Sequence, residues 1–145
     1  MIPLAVATVA AFVYADEVAD FVLRPITAKA AHAEAVVWLK HDGNVSPWSG
    51  QPVHPNDSFE LELAPATFTQ LTIAELTADG PKVVLRQAIS GHGMSPAFSF
   101  DDAPGPERMA ALLSNAPLTD DEVRAALDGK GNTWNRTWTF PKELK

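Results

Sequence analysis

A chain of 145 residues and 15.6 kDa has room for one cored domain, and its 46% hydrophobic and 20% charged residues exclude a disordered polymer or a coiled coil. Eleven Lys and Arg against 18 Asp and Glu leave a net charge of -7, so the broad cationic field that draws proteins onto nucleic acid is absent. The absence of cysteine excludes disulfides, thiolate metal sites and cysteine nucleophiles.

Residues 2–15 carry no charge. As a helix they span about 21 Å, short of a roughly 30 Å hydrocarbon core. That length suits the apolar region of a signal peptide, although no Lys or Arg precedes it. Continued to the Arg24-Pro25 stop, the helix reaches about 22 residues and is long enough to span. Three readings stand for residues 1–24: a single-pass membrane anchor, a cleaved signal, or a soluble helix packed on the domain. Asp16, Glu17 and Asp20 share one helical face in the last two turns, where carboxylates are tolerated beside a partner helix. Residues 25–33 are small and low in aromatics and read as a linker, with His32 in solvent.

From Glu34 onward, strand-like runs alternate with turn residues at intervals of roughly eight to twelve, the pattern of an all-β sandwich or barrel. Ala35-Val36-Val37-Trp38-Leu39-Lys40 predicts a strand closed by the hairpin signal Asp42-Gly43-Asn44. After Trp48, Val53 and the turn His54-Pro55-Asn56-Asp57, strict alternation turns Phe59, Leu61 and Leu63 toward the core. Phe68, Leu71, Ile73 and Leu76 mark a further strand, which Asp79-Gly80 returns through Val83-Val84-Leu85. Residues 90–96 read as a loop, followed by a strand in which Phe98 and Phe100 share a face. Met109-Ala110-Ala111-Leu112-Leu113-Ser114 has the length of a buried strand. Thr119 with Glu122 three positions later predicts a capped helix ending at Gly129, and residues 133–140 alternate as a closing strand.

Chemistry-bearing residues are sparse in this pattern. The four histidines, His32, His41, His54 and His92, share no metal-ligand spacing, so neither a metal nor another cofactor is expected. Ser90-Gly91-His92-Gly93 lacks both a nucleophile elbow and a phosphate-loop lysine and reads as a turn. The carboxylates Asp101, Asp102, Asp120, Asp121 and Glu122 fit structural roles at a strand junction and a helix N-terminus. Trp134, Arg136 and Trp138 fall on one side of the last strand and form a candidate ligand or interface face, with internal packing of the two indoles as the competing use.

Residues 98–118 (FSFDDAPGPERMAALLSNAPL), followed by Val123-Arg124-Ala125-Ala126-Leu127, resemble the extracytoplasmic β-sandwich domain of anti-sigma-factor-like, single-pass membrane proteins common in myxobacteria. Phe21-Val22-Leu23-Arg24-Pro25 is similar to the end of that family's membrane helix, and Pro55-Asn56-Asp57 to its Pro-x-Asp lead into an early strand. The expected fold is therefore mainly β: an antiparallel β-sandwich of about seven to eight strands over residues 34–145, with one short C-terminal helix and an N-terminal apolar helix. The resemblance implies a membrane-tethered sensory or interaction domain. Joined to the apolar N-terminus, it gives a non-enzymatic domain on the periplasmic side of the cytoplasmic membrane. Its expected partners are the bilayer and other membrane protein subunits, not nucleic acid, and a secreted or periplasmic glycan-binding module is the alternative.

Overall fold

The computed structural model describes residues 32–144, so the apolar N-terminal segment lies outside the described residues. Among the described residues nine strands and one helix follow in chain order: β1 (Glu34–His41), β2 (Asn44–Pro47), β3 (Ser58–Ala64), β4 (Gln70–Thr77), β5 (Gly80–Ala88), β6 (Gly93–Met94), β7 (Phe98–Ser99), β8 (Glu107–Ser114), α1 (Asp120–Leu127) and β9 (Trp134–Phe140). They form two antiparallel sheets. The first has the order β2-β1-β3-β6, with β7 also pairing β3, and the second has the order β5-β4-β8-β9. The mainly β, two-sheet reading holds, and Met109 to Ser114 lie within a strand, as their length predicts.

The sheets share one core, which makes the fold β-sandwich-like. Alternation along β1 and β3 sends Ala35, Val37, Leu39, Phe59, Leu61 and Leu63 inward, against Leu71, Ile73, Met109, Ala111, Leu113, Trp138 and Phe140 of the second sheet. The outer face of the second sheet is covered in turn by α1. Val123 and Ala126 of that helix, with Leu118 before it, pack on Ala74, Ala110 and Leu112. Thr119 caps α1 through a reciprocal pair, its hydroxyl accepting from the Glu122 amide while the Glu122 carboxylate accepts from its own.

One face departs from a simple inside–outside alternation. Glu60 and Glu62 point away from the shared core, yet both are buried. Glu62 accepts a hydrogen bond from Trp38 Nε1 at 2.9 Å, whereas Glu60 Oε2 has no hydrogen-bond partner among the described residues. Burial pushes the Glu60 carboxyl up from its ordinary range, against the opposing pull of Lys40. A carboxyl raised in the fold stabilises it below the ordinary carboxylate range and loses that contribution as pH rises. Glu60→Gln is therefore expected to raise the urea midpoint at pH 7, with the gain vanishing near pH 4. An equal effect at both pH values would contradict this assignment.

Candidate functional site

Two hairpin-like connections meet at one end of the first sheet. The loop after β1 is a two-residue turn in which Asp42 and Gly43 both have positive φ, 49° and 81°. That geometry matches the twist of the flanking strands and leaves His41 paired with Asn44 at the tip. Before β3, Asp57 N–H donates to His54 O at 3.0 Å across Pro55 and Asn56, and Asn56 has φ 74°. Proline at the second position and asparagine in the left-handed region at the third are what such a turn favours. The β1–β3 register runs out to Lys40 opposite Ser58, so the next step along each strand brings His41 beside Asp57.

His41, His54 and Asp57 thus converge, each offering a ligand atom within 4.8 Å of the others. Asp57 is the fixed member, its side chain only 6% exposed. Its Oδ1 lies 2.5 Å from His41 Nδ1, and its Oδ2 accepts from the His54 amide at 2.9 Å and stands 3.4 Å from His54 Nδ1. The two imidazoles lie 4.8 Å apart between centroids, tilted by 34°. Each also has a carboxylate at its outer nitrogen: Asp42 Oδ2 is 3.3 Å from His41 Nε2, and Glu143 Oε1 is 3.4 Å from His54 Nε2. Glu143 is delivered by the C-terminal segment, whose backbone brackets Val53 through Val53 N–H to Pro141 O and Glu143 N–H to Val53 O, both 2.8 Å. The hydrogen bond to Asp57 raises the His41 imidazole above its ordinary pKa. A cleft of about 700 Å³ opens over the group, with Ser58 and Ser99 also on its wall.

This convergence is not visible in histidine spacing, since His41 and His54 share no ligand motif and the contact is made by strand register. Other residues singled out by the sequence lie elsewhere. His92 stands 3.4 Å from buried Glu62, and its pKa is lowered by burial. Asp101 joins Glu107 around Lys142, and Asp120, Asp121 and Glu122 occupy the first turn of α1. On β9, Trp138 is 8% exposed in the shared core and Trp134 packs partly buried against it. Arg136 is exposed, with its guanidinium 5.7 Å from the Trp138 ring and Nη1 donating to Ala35 O at 3.3 Å. The indoles therefore give their faces to the interior, and Arg136 closes the sandwich edge. Asp16, Glu17 and Asp20 lie outside the described residues. No protein-family model, curated protein or solved structure matches the chain.

Proposed function

We propose that the chain is a non-enzymatic, membrane-tethered sensory or interaction domain, held by its apolar N-terminal helix on the periplasmic side of the cytoplasmic membrane as an accessory subunit of a membrane complex. The observation that carries this reading is the direction of β1. The strand leaves the linker at Glu34 and ends at His41, seven steps later. At about 3.3 Å per residue it sets the histidine cleft roughly 23 Å from the point where the tether joins. A recessed polar site at the far end of a tethered domain is placed to meet a soluble ligand or a partner. Among the described residues no helix is long and apolar enough to cross a membrane, and the tether in this reading is residues 1–24.

The non-enzymatic part draws on the outer imidazole nitrogens. In a hydroxyl-activating His–Asp pair, the carboxylate holds one nitrogen and the other takes the nucleophile's proton. Here both Nε2 atoms already face carboxylates, Asp42 and Glu143. The glycan-binding alternative draws on Trp134, Arg136 and Trp138 and is weakened by the burial of Trp138.

The test is carbonate extraction of the full-length chain from bacterial membranes, with protease added to spheroplasts. The chain should stay in the membrane pellet and its β domain should be cut from the periplasmic side. Release of a soluble product beginning near Asp16 would overturn tethering and favour a secreted module. Replacing Asp16, Glu17 and Asp20 by their amides should reduce recovery of a co-purifying membrane subunit; unchanged recovery would count against the accessory-subunit role.

A further inference from the structure

We propose that His41, His54 and Asp57 form a binding site for one borderline divalent transition metal ion, with Zn²⁺ as the type case. The inference goes beyond the sensory reading and does not depend on tethering, because every group involved belongs to the β domain.

The orientation of the rings carries the inference further than their proximity does. Both Nδ1 atoms point at the same carboxylate, at 2.5 and 3.4 Å, while both Nε2 atoms face separate carboxylates at 3.3 and 3.4 Å. A histidine that ligates a metal usually donates its other ring N–H to a carboxylate, which fixes the tautomer and the plane of the ring. Asp42 and Glu143 stand within ion-pair distance of the two outer nitrogens, placed to take their N–H groups when Nδ1 of each ring and a carboxylate oxygen of Asp57 turn to the metal. The proton between His41 Nδ1 and Asp57 leaves to solvent when the metal takes its place.

Distances and donor chemistry define the ion. Bonds of about 2.0–2.1 Å to nitrogen and oxygen imply a tetrahedral edge of roughly 3.3 Å. The widest separation here, 4.8 Å, exceeds that edge and the 2.5 Å between His41 Nδ1 and Asp57 Oδ1 falls short of it, so binding requires the half-exposed His41 ring to shift. Asp57 needs no such movement, since its Oδ2 is anchored by the His54 amide. Two imidazoles and one carboxylate suit Zn²⁺, Fe²⁺, Ni²⁺ or Cu²⁺, whereas Ca²⁺ and Mg²⁺ call for oxygen alone. The cleft leaves the remaining coordination positions to water or to a donor atom of an incoming ligand. A ligand with a carboxylate or imidazole of its own would complete the ion.

The test is titration of the untagged full-length chain with ZnCl₂ in competition with a chromophoric chelator. One Zn²⁺ per chain is expected, weakened at least tenfold in His41→Ala and in His54→Ala and unchanged in the His32→Ala/His92→Ala double variant. Asp42 and Glu143 have side chains 85% and 61% exposed, so Asp42→Asn/Glu143→Gln leaves the core untouched. That double variant should weaken binding about 10- to 100-fold with an unchanged urea midpoint. Absence of saturable one-to-one binding, or full affinity in a His41→Ala/His54→Ala variant, would overturn the proposal.

Discussion

Phe59→Ala is expected to cost the fold about 3–5 kcal/mol, a large share of the roughly 5–15 kcal/mol available to a domain. Phe59 is 1% exposed and stands at the centre of an aromatic group that joins the two sheets. Its ring centroid lies 5.5 Å from Phe98, 5.2 Å from Phe100 and 5.3 Å from Phe140. Phe98 and Phe100 come from the β7 region beside β3, and Phe140 ends β9 on the opposite sheet. Truncation removes both the buried area and the ring contacts, and close-packed neighbours relax only partly into the cavity. Urea unfolding monitored by tryptophan fluorescence would show the midpoint falling with an unchanged slope. A cost below about 1 kcal/mol would mean that the sheets are not joined through this ring.

The second large effect belongs to Lys142, whose side chain is only 2% exposed. Its Nζ donates to Asp101 Oδ1 at 2.7 Å, Ala103 O at 2.7 Å and Glu107 Oε1 at 2.9 Å. Lys142→Met keeps the volume of the stem and removes the cation, leaving the buried Glu107 carboxylate without it. Loss of one partner from a buried ion pair costs about 3–5 kcal/mol, whereas neutralising both is far milder. Glu107→Gln added to Lys142→Met should therefore recover much of the loss. The pH dependence supplies a further check. Burial holds the Glu107 carboxyl above its ordinary range even beside Lys142. A raised carboxyl regains stability as pH falls and it takes up its proton. The deficit of Lys142→Met should narrow between pH 7 and pH 4, and a deficit that widens would contradict the assignment.

Much of the fold is legible in local pattern. The Asp42-Gly43 turn, the alternation of β3, the Thr119–Glu122 cap and the length of β8 all act within a few residues, and each is found where its local chemistry puts it. Period-two alternation reads one buried face, so it gives no sign that Glu60 and Glu62 would be buried on the other. The two-residue strands β6 and β7 are too short for any periodicity, and both arise from their pairing with β3. For the same reason nine strands are found among the described residues where the sequence predicts about seven to eight.

The candidate site is less legible because it is a product of register. His41 and His54 lie 13 positions apart in different local contexts, a turn tip and the start of a Pro-Asn turn. Only the antiparallel pairing of β1 with β3 brings Asp57 between them, and only the parallel bridge between Val53 and Lys142 brings Glu143 to His54. The turn residues were visible, and a hairpin-end histidine facing a Pro-x-Asp turn is the signal from which the cluster is read once pairing is known. The opposite holds for Trp134, Arg136 and Trp138. Their shared parity is plain in the sequence, but parity does not say which face of β9 meets the core; on that face Trp138 is buried and Trp134 packs partly buried against it, while Arg136 stays exposed.

A metal site built by strand register from His41, His54 and Asp57 is open to direct observation in long-range proton–nitrogen spectra of the histidine rings. Recorded on the full-length chain before and after one equivalent of Zn²⁺, they should show the Nδ1 signals of His41 and His54 moving to the metal-bound range. Their Nε2 atoms should remain protonated, and His32 and His92 should not respond. Metal-induced shifts at His32 or His92, coordination through Nε2, or four unchanged rings would show that these residues do not form the site.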